Sequence, residues 1–403
     1  MIVTYIFLIL IIFFLTFLSG FGFITASFFS KRKLAYLLLV IGCILINLIF
    51  LDLQVGHGLD IDRYAVTTQQ MQSIHSWKDW LFFYHSDPVM IREKYNLLFL
   101  LIQFIASRFR NYNLLSFICS VLSSLFITFP FLDFYLNHKN LLSKALTLCL
   151  SSLLIVGFGF YMASVLRWEL AVTSLFLLVY IYFIKLNNQK KYIWMLLVPI
   201  LFHTGIILGV AIVILASWGK KISFVKGIIF SLGVLLFFNS LSSISIVNDS
   251  SFLGQVTSMS QIYAQTLGSS VNQQISDSLV IIDLLCILFI YLKYLRKNNK
   301  QASNFRQINF LLIIAEVLMV NNSVIFTRYL FLLVLFSSFY LLQCFEVKEI
   351  NKRGIILAFG MIVLLSGLRG IIGLSAFDFT FGNYIDAIFV DIFTIFQNIP
   401  TVL

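Results

Sequence analysis

Four short stretches of an otherwise apolar sequence carry side chains able to do chemistry. The first is Gly56-His57-Gly58-Leu59-Asp60-Ile61-Asp62-Arg63-Tyr64. Its glycines allow a tight turn, beside which Asp60 and Asp62 project. A carboxylate so placed can take a proton from a hydroxyl as a general base, or bind a divalent cation. The alternative is local: Asp60 caps the start of a helix carrying Tyr64 and Met71. The second stretch, Met162-Ala163-Ser164-Val165-Leu166-Arg167-Trp168-Glu169, puts an arginine between two apolar runs. An arginine there is costly unless it faces a polar cavity, and its planar fork fits two oxygens of a phosphate. The alternative is a pair with Glu169 and a side chain that snorkels to the interface. The third, Pro199-Ile200-Leu201-Phe202-His203-Thr204-Gly205, holds a lone ionisable group that either satisfies a core hydrogen bond or lines a substrate path. In the fourth, Asn321-Asn322-Ser323-Val324-Ile325-Phe326-Thr327-Arg328-Tyr329, Arg328 opens an apolar run. It serves either to grip a phosphate or to anchor a lipid headgroup.

Other charges are harder to place. Arg92, Lys94, Arg108 and Arg110 flank a short apolar run at 95–107, where an anionic substrate or a headgroup-binding rim accounts for them equally. Glu316, inside a later run, reads as a counter-charge for an arginine. No P-loop, GxSxG, HExxH or CxxC motif occurs. The five cysteines lie inside apolar runs without a histidine at ligand spacing, so neither zinc nor a disulfide framework is expected and no metal ligand is assigned.

The elements that position these residues must be membrane helices. Of the 403 residues, 60% are hydrophobic and 11% charged, against about 25% charged in soluble domains. Apolar runs long enough to cross about 30 Å of hydrocarbon recur from end to end, giving an all-α, polytopic membrane bundle. The net charge of +11 reflects Lys and Arg collected in cytoplasmic loops, and no nucleic-acid partner is expected. Residues 2–29 lack a basic leader and precede Ser30-Lys31-Arg32-Lys33. They read as a first crossing with the N-terminus outside, not as a cleaved signal. Further runs fall at 34–51, 114–136, 145–161, 168–184, 227–246, 279–295, 307–322, 325–343 and 354–373.

Charge selects the topology. If 95–107 crosses fully, Lys185, Lys190 and Lys191 fall outside; if it dips and returns, they stay in the cytoplasm. With 192–217, interrupted by Pro199, His203 and Gly205, re-entrant too, Lys220, Lys221 and Lys226 also stay inside, although the same run could form one tilted helix. The expectation is therefore about ten transmembrane helices plus two re-entrant or interfacial segments. They form a single membrane-embedded domain over 1–373, with external loops at 52–94 and 247–278 and an external tail at 374–403. Arg167 and Arg328 then face outward.

In order, Gly58-x-Asp60-x-x-x-Tyr64, Arg167 with Ala171, Phe202-His203-Thr204 after a Lys-rich turn, and Arg328-Tyr329 resemble the EpsG family of Wzy-like capsular and exopolysaccharide polymerases. The likeness runs over about residues 1–345. The chain departs from the family pattern at Trp168 and at Glu93-Lys94-Tyr95. The resemblance implies polymerisation of polyprenyl-diphosphate-linked oligosaccharide repeat units at the outer face of a bacterial cytoplasmic membrane. Its partners would be the lipid-linked glycan, membrane lipid, and the chain-length regulator and flippase of the same pathway. Asp60 or Asp62 would be the base, with His203 as substitute or orienter. Tyr64, Arg167, Arg328, Arg92 and Arg108 would bind substrate. The donor is already activated, so no nucleotide or other cofactor is required. A flippase of lipid-linked oligosaccharide would use the same arginines without a base, and a membrane O-acyltransferase would centre on His203.

Overall fold

The computed structural model describes residues 20–51, 60–74, 76, 78–79, 96–109, 113–137, 165–217, 303–319 and 323–345, with isolated positions between 229 and 365. The runs expected at 145–161, 227–246, 279–295 and 354–373, the loop 247–278 and the tail 374–403 lie outside the described residues, apart from isolated positions. Every described element is helical. Among them, Leu114–Leu136 and Leu166–Lys185 are long and apolar enough to cross a membrane. The chain divides into two compact units: Met1–Asp87, Leu97–Leu170 and Gly367–Leu403 form one, Pro88–Asn96 and Ala171–Ser366 the other.

The first unit contains α1 (Gly20–Phe29), α2 (Arg32–Asn47), α3 (Asp60–Met71), α4 (Leu97–Ser107), α5 (Leu114–Leu136) and the start of α6 (Leu166–Tyr180). Helices α1 and α2 form a hairpin in which glycines let the backbones touch. A Cβ added to Gly42 would lie 2.8 Å from the Gly20 carbonyl oxygen, and one added to Gly20 would lie 2.7 Å from Ile46 Cγ1. Without a hydrophobic drive between helices in lipid, such close packing has to supply the association.

Helix α5 presents a buried stripe of Ser116, Ser120, Ser124 and Thr128 at helical spacing. Ser124 and Thr128 of this stripe meet α2, which runs antiparallel to α5. Asn47 Nδ2 donates to Ser124 Oγ at 3.0 Å, Cys43 Sγ lies 3.8 Å from Thr128 Oγ1, and Tyr36 stacks on Phe129 with centroids 5.3 Å apart. One end closes with Arg32 Nη2 and Tyr36 Oη both donating to Asp133 Oδ1, at 3.1 and 2.8 Å. At the other end Leu48 and Leu51, in a 3₁₀ turn that extends α2, pack on Leu114. The expected crossings at 34–51 and 114–136 are therefore an antiparallel pair. Leu51 and Leu114, the residues that end one and begin the other, lie together at one end of that pair.

Between these two residues in the chain, α3 and α4 run side by side in the same direction. Tyr64 packs on Phe99 at 5.1 Å, Gln103 Nε2 donates to Thr68 Oγ1 at 3.2 Å, and the Arg108 guanidinium meets the carbonyls of Met71 and Ile74. Their C-terminal ends lie toward Leu48, Leu51 and Leu114, because Gln72 bonds the Phe109 carbonyl and Phe109 packs on that leucine cluster. Part of the stretch expected as an external loop is thus a helix whose Tyr64, Thr68 and Met71 are buried.

The second unit holds the rest of α6, followed by a π turn at Ile181–Lys185, α7 (Ile207–Ser217), α8 (Ser303–Met319) and α9 (Ser323–Phe345). Asn187 and Asn188 take left-handed conformations, φ 48° and 58°, that asparagine tolerates. They reverse the chain into a 3₁₀ helix at Lys190–Leu201. The expected run 192–217 is not one tilted helix. It breaks at Phe202-His203, and Asn188 Nδ2 donates to the Ser217 carbonyl at 3.1 Å, so the two ends of the stretch meet. Its legs are about 24 Å long at the 3₁₀ rise and about 16 Å at the α rise, each short of about 30 Å of hydrocarbon. It is a hairpin with His203 at its tip.

Helices α8 and α9 pack antiparallel. Asn309 Nδ2 donates to the Phe336 carbonyl at 3.3 Å, and Phe305 meets Phe339 at 5.0 Å. Phe176 and Tyr180 of α6 fill the same core against Phe336 and Phe339. Helix α7 packs along α8 and touches α9 at Gly209, where an added Cβ would lie 2.9 Å from Leu332 Cδ2.

Candidate functional site

Asp60 is the first helical residue of α3, as the capping reading requires to within a residue, and Asp62 stands in the same turn. The side chains of Asp60 and Asp62, and all of Arg92, lie outside the described residues.

Arg167, the second residue of α6, is 4% exposed. Its Nε donates to the Tyr64 hydroxyl at 2.5 Å, and its Cζ lies 5.2 Å from the Tyr64 ring centroid and 5.8 Å from that of Phe99. Aromatic faces at this range attract a guanidinium and make burying it cheaper. Tyr64 is fixed in turn by Phe99 and by Gln103, whose Nε2 donates to the Tyr64 carbonyl at 3.3 Å. The alternative of an Arg167–Glu169 pair meets a geometric obstacle, because residues two apart on a helix do not face each other. Glu169 lies instead by Ser123 and Cys119 of α5.

Arg108 has a different setting. Its Nη1 donates to the Ile74 carbonyl at 2.5 Å, its Nη2 donates to the Met71 carbonyl, and its Cζ stands 4.5 Å above the Phe104 ring. These bonds satisfy carbonyls at the end of α3, where a cation also complements the dipole. They give Arg108 a structural role at this place.

In the second unit the His203 turn is tied on several sides. Gly205 N–H donates to His203 Nδ1 at 2.9 Å, making His203 the N-cap of the turn Thr204–Ile206. The Tyr329 hydroxyl donates to the Gly205 carbonyl at 2.5 Å, and Thr204 N–H donates to Asn96 Oδ1 at 3.2 Å. The Tyr329 oxygen also lies by the backbone of Leu208 and Gly209, and Glu316, fully buried on α8, is within electrostatic range of it. Arg328 is half-buried, one residue before Tyr329.

The four sequence stretches are therefore joined in pairs: Tyr64 to Arg167 in one unit, the His203 turn to Tyr329 in the other. Sequence reasoning missed Phe99, Gln103 and Asn96. The last two carried a signal, as an amide inside a short apolar run and an amide at its mouth. Among the described residues no cluster of His, Cys, Asp or Glu could hold a metal ion.

The family model for EpsG matches residues 36–384, which include all four stretches. The chain belongs to the EpsG family. As an EpsG-family protein it is a helical membrane protein of polysaccharide biosynthesis, and the family is associated with polymerase or glycosyltransferase-like activity. No curated protein and no solved structure matches it.

Proposed function

We propose that this EpsG-family protein polymerises polyprenyl-diphosphate-linked oligosaccharide repeat units into capsular or exopolysaccharide, at the outer face of a bacterial cytoplasmic membrane that it crosses about ten times. The observation that carries the reading is the buried Arg167 held by the Tyr64 hydroxyl. A cation is expensive to bury, and holding its fork in one orientation suits a ligand that is anionic and planar in its demands.

The growing glycan, attached through its reducing-end sugar to the carrier diphosphate, is the donor. A hydroxyl at the free end of the next lipid-linked unit attacks the anomeric carbon. The new glycosidic bond forms as the bond to the diphosphate oxygen breaks, and polyprenyl diphosphate leaves. Asp60, or Asp62 in its place, takes the hydroxyl proton. Arg167 and Arg328 stabilise the charge that develops on the leaving diphosphate. Tyr64 fixes Arg167, and Arg92 and Arg108 attract the anionic carrier. No nucleotide is called on, because the donor is already activated. The chain-length regulator and the flippase of the same route are the expected protein partners.

A deletion strain of the native host tests this. Loss of polymer with single lipid-linked repeat units accumulating outside supports polymerisation. Units retained inside would mean a flippase, and full-length polymer lacking an acyl group would mean an acyltransferase. In the complemented strain, Arg167→Lys and Arg328→Lys should each lose most polymer, since an ammonium cannot reproduce the bidentate fork. Wild-type polymer from both would make them lipid anchors.

A further inference from the structure

We infer that His203 serves the reaction as a neutral hydrogen-bond donor through Nε2, not as its base, and that Tyr329 is the positioning residue that holds it so. The inference rests on the polymerase reading and assigns the chemistry of one residue within it.

The argument starts from the ring nitrogens. In a neutral imidazole one nitrogen carries the proton and the other accepts, and the partner of one fixes the other. His203 Nδ1 accepts from Gly205 N–H at 2.9 Å, so the proton sits on Nε2. That assignment follows from the bond at Nδ1 and does not depend on what Nε2 itself meets. To act as a base His203 would have to become an imidazolium, with N–H groups at both nitrogens. Nδ1–H would then point at Gly205 N–H, two donors face to face, and the cap of the turn would be lost. The cost is raised by the apolar hairpin around it, where His203 is only 8% exposed.

The turn is built to keep this arrangement. The two peptides that flank Gly205 are each held, the 204–205 unit by its N–H to His203 and the 205–206 unit by its carbonyl to Tyr329, while Thr204 N–H is held by Asn96. Tethering the peptide on either side of the Gly205 Cα restricts its φ and ψ, and so keeps its N–H on Nδ1. An Nε2–H at the tip of a membrane hairpin suits an oxygen that gains negative charge, which in this reaction is an oxygen of the leaving diphosphate.

Amide substitutions separate the two nitrogens of the ring. Asn at 203 supplies a capping oxygen near the Nδ1 position and nothing at Nε2; Ser caps similarly. Gln reaches the Nε2 position with an N–H. The deletion strain is complemented with each full-length variant, and polymer is divided by immunoblotted protein in the membrane. His203→Asn and His203→Ser should accumulate normally and fall at least about tenfold in polymer per protein, while His203→Gln retains a larger share than either. Tyr329→Phe should lower polymer on the wild-type background yet add no further loss to His203→Asn, since it acts only through His203.

Polymer from His203→Asn equal to wild type overturns the donor assignment and leaves a cap. Failure of both Asn and Ser variants to accumulate overturns the capping geometry on which the tautomer rests. An additive loss in the double variant removes Tyr329 as positioner. If the deletion strain keeps full-length polymer, or retains its single units inside, the polymerase reading falls instead, and the two failures are thereby distinct.

Discussion

Replacing Tyr64 by Phe removes one oxygen and leaves the rest of the Arg167 cradle in place. The ring that packs on Phe99 at 5.1 Å and lies 5.2 Å from Arg167 Cζ remains. What disappears is the acceptor for Arg167 Nε, at 2.5 Å. A hydrogen bond to a charged group contributes about 1.5–3 kcal/mol, and here the charge is 4% exposed, so water replaces the lost partner poorly. If the bond serves to aim the guanidinium at a developing diphosphate charge, that energy is lost from the transition state, about tenfold to a hundredfold in rate at roughly 1.4 kcal/mol per decade. The assay is polymer formed per unit of membrane protein in the complemented deletion strain, with lipid-linked repeat units measured in parallel. Polymer should drop by that factor while single units rise and protein abundance stays near wild type. Wild-type polymer at wild-type abundance would show that the hydroxyl is not needed to aim Arg167. A fall in polymer that merely follows a fall in abundance would make Tyr64 a packing residue and nothing more.

Other expectations follow from neighbouring features. General-base contributions run to about 10²–10⁴-fold, so Asp60→Asn should nearly abolish polymer at normal abundance; if Asp60 only caps α3, Asn is silent and Asp60→Ala instead lowers abundance. Cysteines placed at Asn188 and Lys220 should react with an impermeant maleimide from the same side, and only after permeabilisation; labelling from opposite sides would refute the hairpin at 190–217. Gly42→Ala forces a Cβ to within 2.8 Å of the Gly20 carbonyl and should destabilise the protein in detergent by about 1–3 kcal/mol, while Gly22→Ala, with nothing within 4 Å, should melt with wild type. Equal melting of the two would remove the α1–α2 contact as a source of stability.

Much of the fold was legible because membrane helices are written locally. The run 114–136 became a helix with those bounds, and the interruptions Pro199, His203 and Gly205 marked the place where 192–217 breaks. Other ends moved by a few residues, as at 303–319 against an expected 307–322. The doubling back itself was open, because it depends on Asn188 meeting Ser217, which no local pattern encodes. Within the candidate site, Tyr64 and Arg167 were each singled out, but a bond between residues 103 apart is a tertiary fact. The same holds for Arg108, whose bonds to the carbonyls of Met71 and Ile74 join residues 37 and 34 apart. Asp133 went unremarked inside its apolar run. A lone acid near the end of a crossing, with Arg32 at the mouth of another, was a signal for the pair that ties α2 to α5.

The leg Lys190–Leu201 has twelve residues wound as a 3₁₀ helix, far beyond the three or four usual for that form. Such a helix rises about 2.0 Å per residue against about 1.5 Å for the α form. Rewinding this leg would therefore shorten it by about 6 Å, and with its base pinned at Asn188 the whole stroke would be felt at the tip. Three residues per turn becoming 3.6 would also swing the tip through a large part of a revolution. The leg is in this sense a screw: a small local change of winding becomes a combined lift and rotation of His203.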